Sequence, residues 1–126
     1  MQIEYPRNRG TEKFFSTFDR QFTAQEWSTI RRPSSEWQQL TNFYRFWCLK
    51  ESYVKALGIG IGFTLHRLDF HVNSDVPIGR TVCDTKVYVD GSLQQDWRFE
   101  ETMLDDKHGV AVALKKQVSR AQTSGQ

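Results

Sequence analysis

The segment FYRFWCLKESYVKALGIGIGF, residues 43–63, places one carboxylate between two lysines. Glu51 directly follows Lys50 and precedes Lys55 by four residues. On a helix, Glu51 falls in line with an otherwise apolar stripe made of Leu40, Tyr44, Trp47 and Val54. Because removing an unpaired charge from water costs several kcal/mol, a carboxylate in such a stripe needs a positive partner. The pattern therefore predicts a cation beside Glu51.

Two kinds of cation satisfy this requirement. A Glu-to-Lys pair four residues apart is an ordinary helix salt bridge, worth a few tenths of a kcal/mol. The alternative is Mg²⁺ bridging Glu51 to a phosphate ligand, since Mg²⁺ takes one or two carboxylates and completes its octahedron with waters and phosphate oxygens. Lys50 and Lys55 would then neutralise the phosphates, with Lys50, about 100° around the helix from Glu51, reaching in from the rim. The spacing leaves both possibilities open.

The helix that carries these residues has clear boundary signals. Ser35 followed by Gln38 is typical of a capping box and opens a helix that runs through Leu57. Gly58 suits the left-handed position at its end. A shorter helix is predicted to begin at the capping box formed by Thr23 and Glu26, and to close before Pro33. Helices therefore fill the first half of the chain.

The GIGIG run, residues 58–62, is not a nucleotide-binding fingerprint. That motif needs a strand before its glycines and a helix after them, whereas here the order is reversed. We expect a flexible turn from helix to strand.

From Phe63 onward the hydrophobic period changes to two, which indicates strands. Leu68, Phe70 and Val72 alternate with polar residues, TKVYVDGSLQQDWRF gives two strands around an Asp90-Gly91 turn, and GVAVALK gives a last strand. The order of elements predicts an α+β fold, an antiparallel sheet with one long helix packed across it. We expect an irregular lead-in at 1–10, a single domain at 11–115 and a disordered tail at 116–126.

Composition narrows the classes of function. A chain of 126 residues that is 38% hydrophobic supports one domain, and its formal charge of +2 does not favour a nucleic-acid partner. No apolar run reaches the 18 or so residues of a membrane helix, and MQIEYPRNRG is not a signal peptide. Cys48 and Cys83 lack the spacing of a zinc site. Cys48 is predicted to be a small buried hydrophobe. We expect a reduced, cytoplasmic location.

The signature around Glu51 resembles that of a known enzyme family. WCLKESYVKALGIGIGF is similar to the Trp-x-x-Lys-Glu-Ser/Ala-x-x-Lys motif of the 4′-phosphopantetheinyl transferases of the two-halved type. The blocks FTAQEW, residues 22–27, and GIGFTLHRLDF, residues 60–70, flank it in the family's order, and the likeness runs from about Pro6 to Leu114. The resemblance implies half of the family's pseudo-dimer fold.

The resemblance also implies an activity and residue roles. The family transfers 4′-phosphopantetheine from coenzyme A to a serine of an acyl or peptidyl carrier protein, with Mg²⁺ on the pyrophosphate. Glu51 matches the metal-binding glutamate, which also helps to orient or deprotonate the attacking hydroxyl. Lys50 and Lys55 match the signature lysines, of which Lys55 faces coenzyme A phosphate, and Trp47 matches a packing residue. Glu51 and Lys55 are thus the expected catalytic pair.

One departure from the family divides the functional hypotheses. The family's Gly-x-Asp motif, whose aspartate binds the same Mg²⁺, would fall just before Met1, and the family's N-terminal half is missing from this sequence. The leading hypothesis is the C-terminal domain of a transferase that needs that half for activity. Its rival is a catalytically incomplete half-domain that binds carrier protein or coenzyme A. A third reading is a small α+β protein in which Glu51 and Lys55 form a plain salt bridge.

Overall fold

The computed structural model describes residues 1–7, 10–59 and 64–116. Its helices are α1 (Thr11–Thr17), α2 (Ala24–Arg31) and α3 (Glu36–Leu57), with short 3-10 helices at Asp19–Gln21 and Leu65–Arg67. Its strands are β1 (Leu68–His71), β2 (Thr81–Val82), β3 (Lys86–Val89), β4 (Ser92–Leu93), β5 (Trp97–Met103) and β6 (Gly109–Lys115). The expected α+β class, helices first and strands after, is confirmed.

The helix boundaries follow the predicted caps. Thr23 accepts a hydrogen bond from the Glu26 amide while the Glu26 carboxylate accepts one from the Thr23 amide, which completes the capping box of α2. The Ser35 hydroxyl caps α3 by accepting from the Gln38 amide. Gly58 ends α3 with a φ of 72°, a left-handed conformation that glycine adopts without steric cost.

The strands form two antiparallel sheets rather than the single sheet that was predicted. One sheet has the order β1-β3-β4 and the other β2-β5-β6. The predicted turn at Asp90-Gly91 joins β3 to β4, with both residues at positive φ. Because β4 is only two residues long, the ladder from β3 ends there, and β5 pairs instead with β6 and β2.

The long helix packs across the strands, but with a different face from the one predicted. Its buried residues are Leu40, Phe43, Phe46, Leu49, Lys50 and Tyr53. Of the predicted stripe only Leu40 is fully buried; Tyr44, Trp47 and Val54 pack at the margin of the core, and Glu51 is exposed. The predicted stripe therefore lies on the flank of α3, since the buried face is centred roughly 100° away around the helix.

The two ends of the described chain are hydrogen-bonded to residues that lie just outside the strands. Within the predicted lead-in, Ile3 is buried, and its amide donates to the Lys107 carbonyl at 2.6 Å. At the other end the Lys116 amide donates to the Asp96 carbonyl at 2.6 Å. Most of the predicted tail, and Gly60 and Gly62 of the GIGIG run, lie outside the described residues. No helix in the described ranges is long and apolar enough to cross a membrane.

Candidate functional site

Glu51 and Lys55 lie on the exposed surface of the last two turns of α3. Although they are four residues apart, their side chains form no ion pair with each other. Among the described residues the Glu51 carboxylate has no hydrogen-bond partner either. The plain salt bridge of the third hypothesis is thus not formed, and Glu51 is accessible to a ligand from outside this part of the chain.

Glu51 also stands outside any metal-binding cluster of the described residues. Across residues 1–7, 10–59 and 64–116, no group of three or more His, Cys, Asp or Glu side chains is arranged to hold a metal ion. Mg²⁺ prefers nearly complete octahedral oxygen coordination and gives up its waters reluctantly. The described part of the chain therefore offers the Glu51 carboxylate without the cluster of ligands that would make a metal site by itself.

Lys50 points in the opposite direction from the one predicted. Its side chain is 0% exposed, and its ammonium contacts the Glu26 carboxylate at 2.9 Å. It also donates to the carbonyls of Leu65, at 2.9 Å, and Leu68, at 2.6 Å. Because these three contacts use all three N–H donors of an ammonium, Lys50 has none left for a phosphate. The expectation that Lys50 reaches phosphates from the rim of the site disagrees with this geometry.

Glu26 is the buried partner that the sequence analysis missed as a site residue. One carboxylate oxygen accepts from the Thr23 amide and contacts Lys50, and the other accepts from the Phe70 amide at 2.8 Å. Burial raises the pKa of Glu26, against the opposing charge and hydrogen bond of Lys50. Burial likewise lowers the pKa of Lys50, opposed by the charge of Glu26. The signal in the sequence was a glutamate inside a capping box, which indicated a helix start only.

The Glu26–Lys50 pair joins three elements at one point. Glu26 comes from α2, Lys50 from α3, and the Phe70 amide from β1. The Lys50 bonds to Leu65 and Leu68 fix the chain where it returns from the GIGIG segment. Since consecutive helix residues are about 100° apart, holding Lys50 inward turns Glu51 outward. The pair therefore sets the rotation of α3 that exposes Glu51.

A cavity of about 380 Å³ opens beside the same helix. On the α3 side it is lined by Thr41, Arg45 and Cys48, and on the sheet side by residues that include Glu101 and Ala111. The Arg45 guanidinium makes a paired contact with the Glu101 carboxylate, at 2.6 and 3.1 Å. Cys48, three residues before Glu51, is the last residue of α3 that lines the cavity, and Glu51 itself does not line it.

Cys48, which was predicted to be a small buried hydrophobe, is half-buried. Burial raises the pKa of the Cys48 thiol, and a backbone hydrogen bond from Ala111 opposes that shift. A thiol held in its neutral form is a weak nucleophile, since the thiolate is the reactive species. Cys48 therefore acts as a packing residue between α3 and β6.

Comparisons with known proteins support the resemblance seen in the signature. Residues 1–115 match the 4′-phosphopantetheinyl transferase superfamily. The chain is similar to L-aminoadipate-semialdehyde dehydrogenase-phosphopantetheinyl transferase of Homo sapiens, with 44% identity over 117 residues, covering 92% of this chain and 38% of that protein. It is 36% identical over 120 residues to a phosphopantetheinyl transferase of Thraustochytrium sp., covering 90% of this chain and 40% of that protein. The chain thus spans little more than a third of the length of the relatives it matches.

Proposed function

This chain belongs to the 4′-phosphopantetheinyl transferase superfamily, and we propose that it forms the C-terminal half of a two-halved enzyme. That enzyme would transfer 4′-phosphopantetheine from coenzyme A to a serine of an acyl or peptidyl carrier protein. The observation that carries the proposal is the exposed, unpaired Glu51 next to the fully buried Lys50 in the signature segment. A carboxylate presented in this way on a rigid helix is suited to act on a substrate.

In the proposed reaction, the serine Oγ of the carrier protein forms a bond to the phosphorus that bears the pantetheine arm. The bond from that phosphorus to the adenosine-side phosphate breaks, and adenosine 3′,5′-bisphosphate leaves with the electron pair. Glu51 orients the serine hydroxyl and takes up its proton. The exposed Lys55 ammonium binds the phosphates of coenzyme A and stabilises the charge that develops on the leaving group. The nucleophile comes from the carrier protein, so this chain needs none.

Lys50 takes a different role in this proposal from the one implied by the signature. Because its ammonium is enclosed by Glu26 and two carbonyls, Lys50 positions Glu51 through the rotation of α3 and does not touch coenzyme A. Glu26 is a positioning residue for the same reason. This division assigns ligand contact to Glu51 and Lys55 alone among the signature residues.

We propose that Mg²⁺ binds only in the longer, two-half protein. Glu51 would supply one oxygen ligand, and the remaining protein ligands would come from outside the described residues. When bound, Mg²⁺ would neutralise the pyrophosphate. We also propose a cytoplasmic location, where coenzyme A and carrier proteins meet in a reduced setting.

A second candidate function is a binding module. The lack of a metal-binding cluster among the described residues favours it, because a domain with an incomplete ligand set can still contact carrier protein or coenzyme A without turnover. The two candidates differ in whether the joined two-half protein transfers phosphopantetheine.

The test is mass spectrometry of a carrier protein incubated with coenzyme A and Mg²⁺. We expect no adduct with the 126-residue chain alone and an adduct when the same residues are joined to an N-terminal half. In the joined protein, Glu51→Gln should lower kcat at least about 100-fold, as expected for loss of a general base. Lys55→Ala should raise KM for coenzyme A about 10-fold or more, as expected for loss of a charge-assisted contact.

Glu36→Gln is the matched control, because Glu36 is an exposed glutamate at the far end of the same helix. Its activity should equal that of the unmodified joined protein. An adduct formed by the 126-residue chain alone would contradict the two-half argument. Full activity of the Glu51→Gln protein would contradict the role of Glu51, and an inactive joined protein that still binds carrier protein would favour the binding module.

A further inference from the structure

The connection between α2 and α3 carries a serine that follows two arginines. Residues 31–35 read Arg-Arg-Pro-Ser-Ser. Ser34 is the only serine or threonine in the 126-residue sequence with arginine both two and three positions before it. Arginine-directed protein kinases bind this charge pattern, because their acidic pockets form charge-assisted hydrogen bonds with guanidinium groups. The pattern indicates Ser34 as a candidate acceptor of phosphate.

The structure presents Ser34 to solvent in an irregular segment. Residues 32–35 lie between the end of α2 at Arg31 and the start of α3 at Glu36, in neither a helix nor a strand. Ser34 is exposed, and within the described residues its hydroxyl makes no hydrogen bond. The Ser34 hydroxyl can therefore enter a kinase site without losing a contact in this domain.

In the described part of the chain, two other hydroxyls follow an arginine by three positions, and both are engaged. The Thr23 hydroxyl caps α2 and donates to the Asp69 carboxylate at 2.5 Å. The Ser35 hydroxyl caps α3. A kinase would have to break these contacts before it could use either oxygen. The structure therefore favours Ser34 over both of them.

The two arginines before Ser34 are accessible from outside. Arg32 is exposed and has no ion pair within the described ranges. Arg31 pairs with Glu12 at 3.1 Å, and its guanidinium lies 4.5 Å from the centroid of the Trp27 ring. The Arg31 and Glu12 side chains are 37 and 67% exposed, and an ion pair this exposed contributes little to stability. Because Arg31 is the last residue of α2 and helix ends fray, its side chain can turn toward a kinase.

The connection is also close to the extended shape that a kinase site accepts. Ser35 has φ −81° and ψ 127°, which is extended backbone. The Gln39 side-chain amide holds the segment to α3 by donating to the carbonyls of Arg31, at 3.3 Å, and Pro33, at 2.7 Å. Opening these side-chain contacts is a local event that leaves the core in place.

We propose that Ser34 is a phosphorylation site for an arginine-directed serine kinase. The Ser34 Oγ forms a bond to the γ-phosphorus of ATP, and the bond from that phosphorus to the oxygen that bridges to the β-phosphate breaks. ADP leaves with the electron pair, and the catalytic base of the kinase takes up the hydroxyl proton. The proposal does not depend on phosphopantetheine transfer, since it uses neither Glu51 nor Lys55.

The added phosphate has positive partners close by. The Arg32 guanidinium is two residues away, and the first two amides of α3, at Glu36 and Trp37, have no acceptor among the described residues. A phosphate at the start of this 22-residue helix also interacts favourably with the helix dipole. The Glu36 carboxylate opposes these attractions. Because the attractions outnumber this one repulsion, we expect phosphorylation to stabilise the domain.

The test uses the folded 126-residue chain, ATP with Mg²⁺, and the catalytic subunit of cyclic-AMP-dependent protein kinase as the arginine-directed probe. Mass spectrometry with peptide fragmentation should locate one phosphate on Ser34. Ser34→Ala should lose this phosphate, whereas Ser35→Asn, which retains a good helix cap, should keep it. Arg32→Ala should lower kcat/KM for phosphorylation of Ser34 at least about 10-fold, as expected for loss of a charge-assisted contact. Arg20→Ala, which removes an exposed arginine elsewhere, is the matched control and should leave it unchanged.

Thermal unfolding of the phosphorylated chain tests where the phosphate lies. The melting temperature measured by circular dichroism should rise by about 2–4 °C at low salt. About 1 M NaCl should remove this difference, because it screens interactions between exposed charges.

Three outcomes would overturn these assignments. Ser34 that stays unmodified in the folded chain, or that gains phosphate only after urea unfolds it, would refute the site. Equal phosphorylation rates of the unmodified and Arg32→Ala chains would show that the arginines do not direct the kinase. A melting temperature that phosphorylation leaves unchanged at low salt would refute the contacts of the phosphate with Arg32 and the start of α3.

Discussion

Replacing Lys50 by methionine tests whether the buried ion pair holds α3 in place. Methionine keeps most of the length and apolar contact of the lysine stem but removes the ammonium. Glu26 would then retain its two amide donors and lose its only cation, while the carbonyls of Leu65 and Leu68 would lose a donor. The variant thus leaves the buried Glu26 charge without a cation and the Leu68 carbonyl without its ammonium donor, whereas the Leu65 carbonyl keeps its bond from the Leu68 amide.

The expected cost follows from this count. Breaking a buried pair by removing one partner typically destabilises a protein by about 3–5 kcal/mol, mainly because a charge remains buried alone. Each kcal/mol shifts the melting temperature of a chain this size by roughly 4 °C, so we expect Lys50→Met to melt about 12–20 °C lower. Glu26→Gln should cost a similar amount, because it leaves the Lys50 charge buried without a counter-charge and turns an amide NH₂ toward a backbone N–H that the carboxylate accepted from. The double variant should cost less than the sum of the two, since it leaves no lone charge.

Urea unfolding followed by circular dichroism measures the four free energies of this cycle. A coupling of about 2 kcal/mol between Lys50 and Glu26 is expected, with unchanged m-values. The matched control is Lys86→Met on β3, an exposed lysine whose replacement should shift stability by less than about 0.5 kcal/mol. A loss below about 1 kcal/mol for Lys50→Met would refute the claim that this pair fixes the helix.

Two further predictions concern acid stability and solubility. Burial favours a higher pKa for Asp69, but hydrogen bonds from Thr23, Gln25 and His71 outweigh it and hold the pKa below its usual value. Because the pKa of Asp69 is lower in the folded state than in the unfolded state, ionised Asp69 stabilises the fold above its unfolded-state pKa, and this stabilisation is lost as pH falls through its folded-state pKa. The Asp69→Asn protein should therefore be less stable at pH 7 and lose less stability below about pH 4. The free energy of unfolding measured as a function of pH checks this prediction. An Asp69→Asn protein that loses stability at low pH as steeply as the unmodified protein would contradict it. The exposed apolar face of β6 should make the 126-residue chain self-associate, and Val112→Lys should reduce this in sedimentation, whereas a monomer at high concentration would argue against it.

Features set by local sequence could be predicted. The caps at Thr23 and Ser35, the glycine stop at Gly58 and the Asp90-Gly91 turn each depend on residues within a few positions of one another. Local hydrogen bonding and backbone preference therefore suffice to determine them. The last strand was predicted residue for residue, because GVAVALK alternates and stands between polar segments.

Features set by distant contacts could not be predicted. The direction of Lys50 depends on Glu26, 24 positions earlier, and on backbone groups at Leu65, Leu68 and Phe70. A helical pattern gives the angle between residues but not which face meets the core when a charged residue belongs to that face. The count of sheets likewise depended on which strand β5 would pair with, and periodicity carries no information about pairing partners.

Helix geometry links the orientations of Lys50 and Glu51, the adjacent Lys and Glu of the signature. Consecutive residues differ by about 100° around a helix, so an ammonium fixed in the core at Lys50 leaves Glu51 no inward orientation. Lys55, four residues later, returns to within about 40° of Glu51 and stands about 6 Å further along the axis. The signature spacing therefore combines one inward anchor with an outward carboxylate and ammonium on nearly the same face. An insertion of one residue between Lys50 and Glu51 would keep the composition but turn Glu51 and Lys55 by about 100° around the helix relative to Lys50, and so away from their present position on the surface.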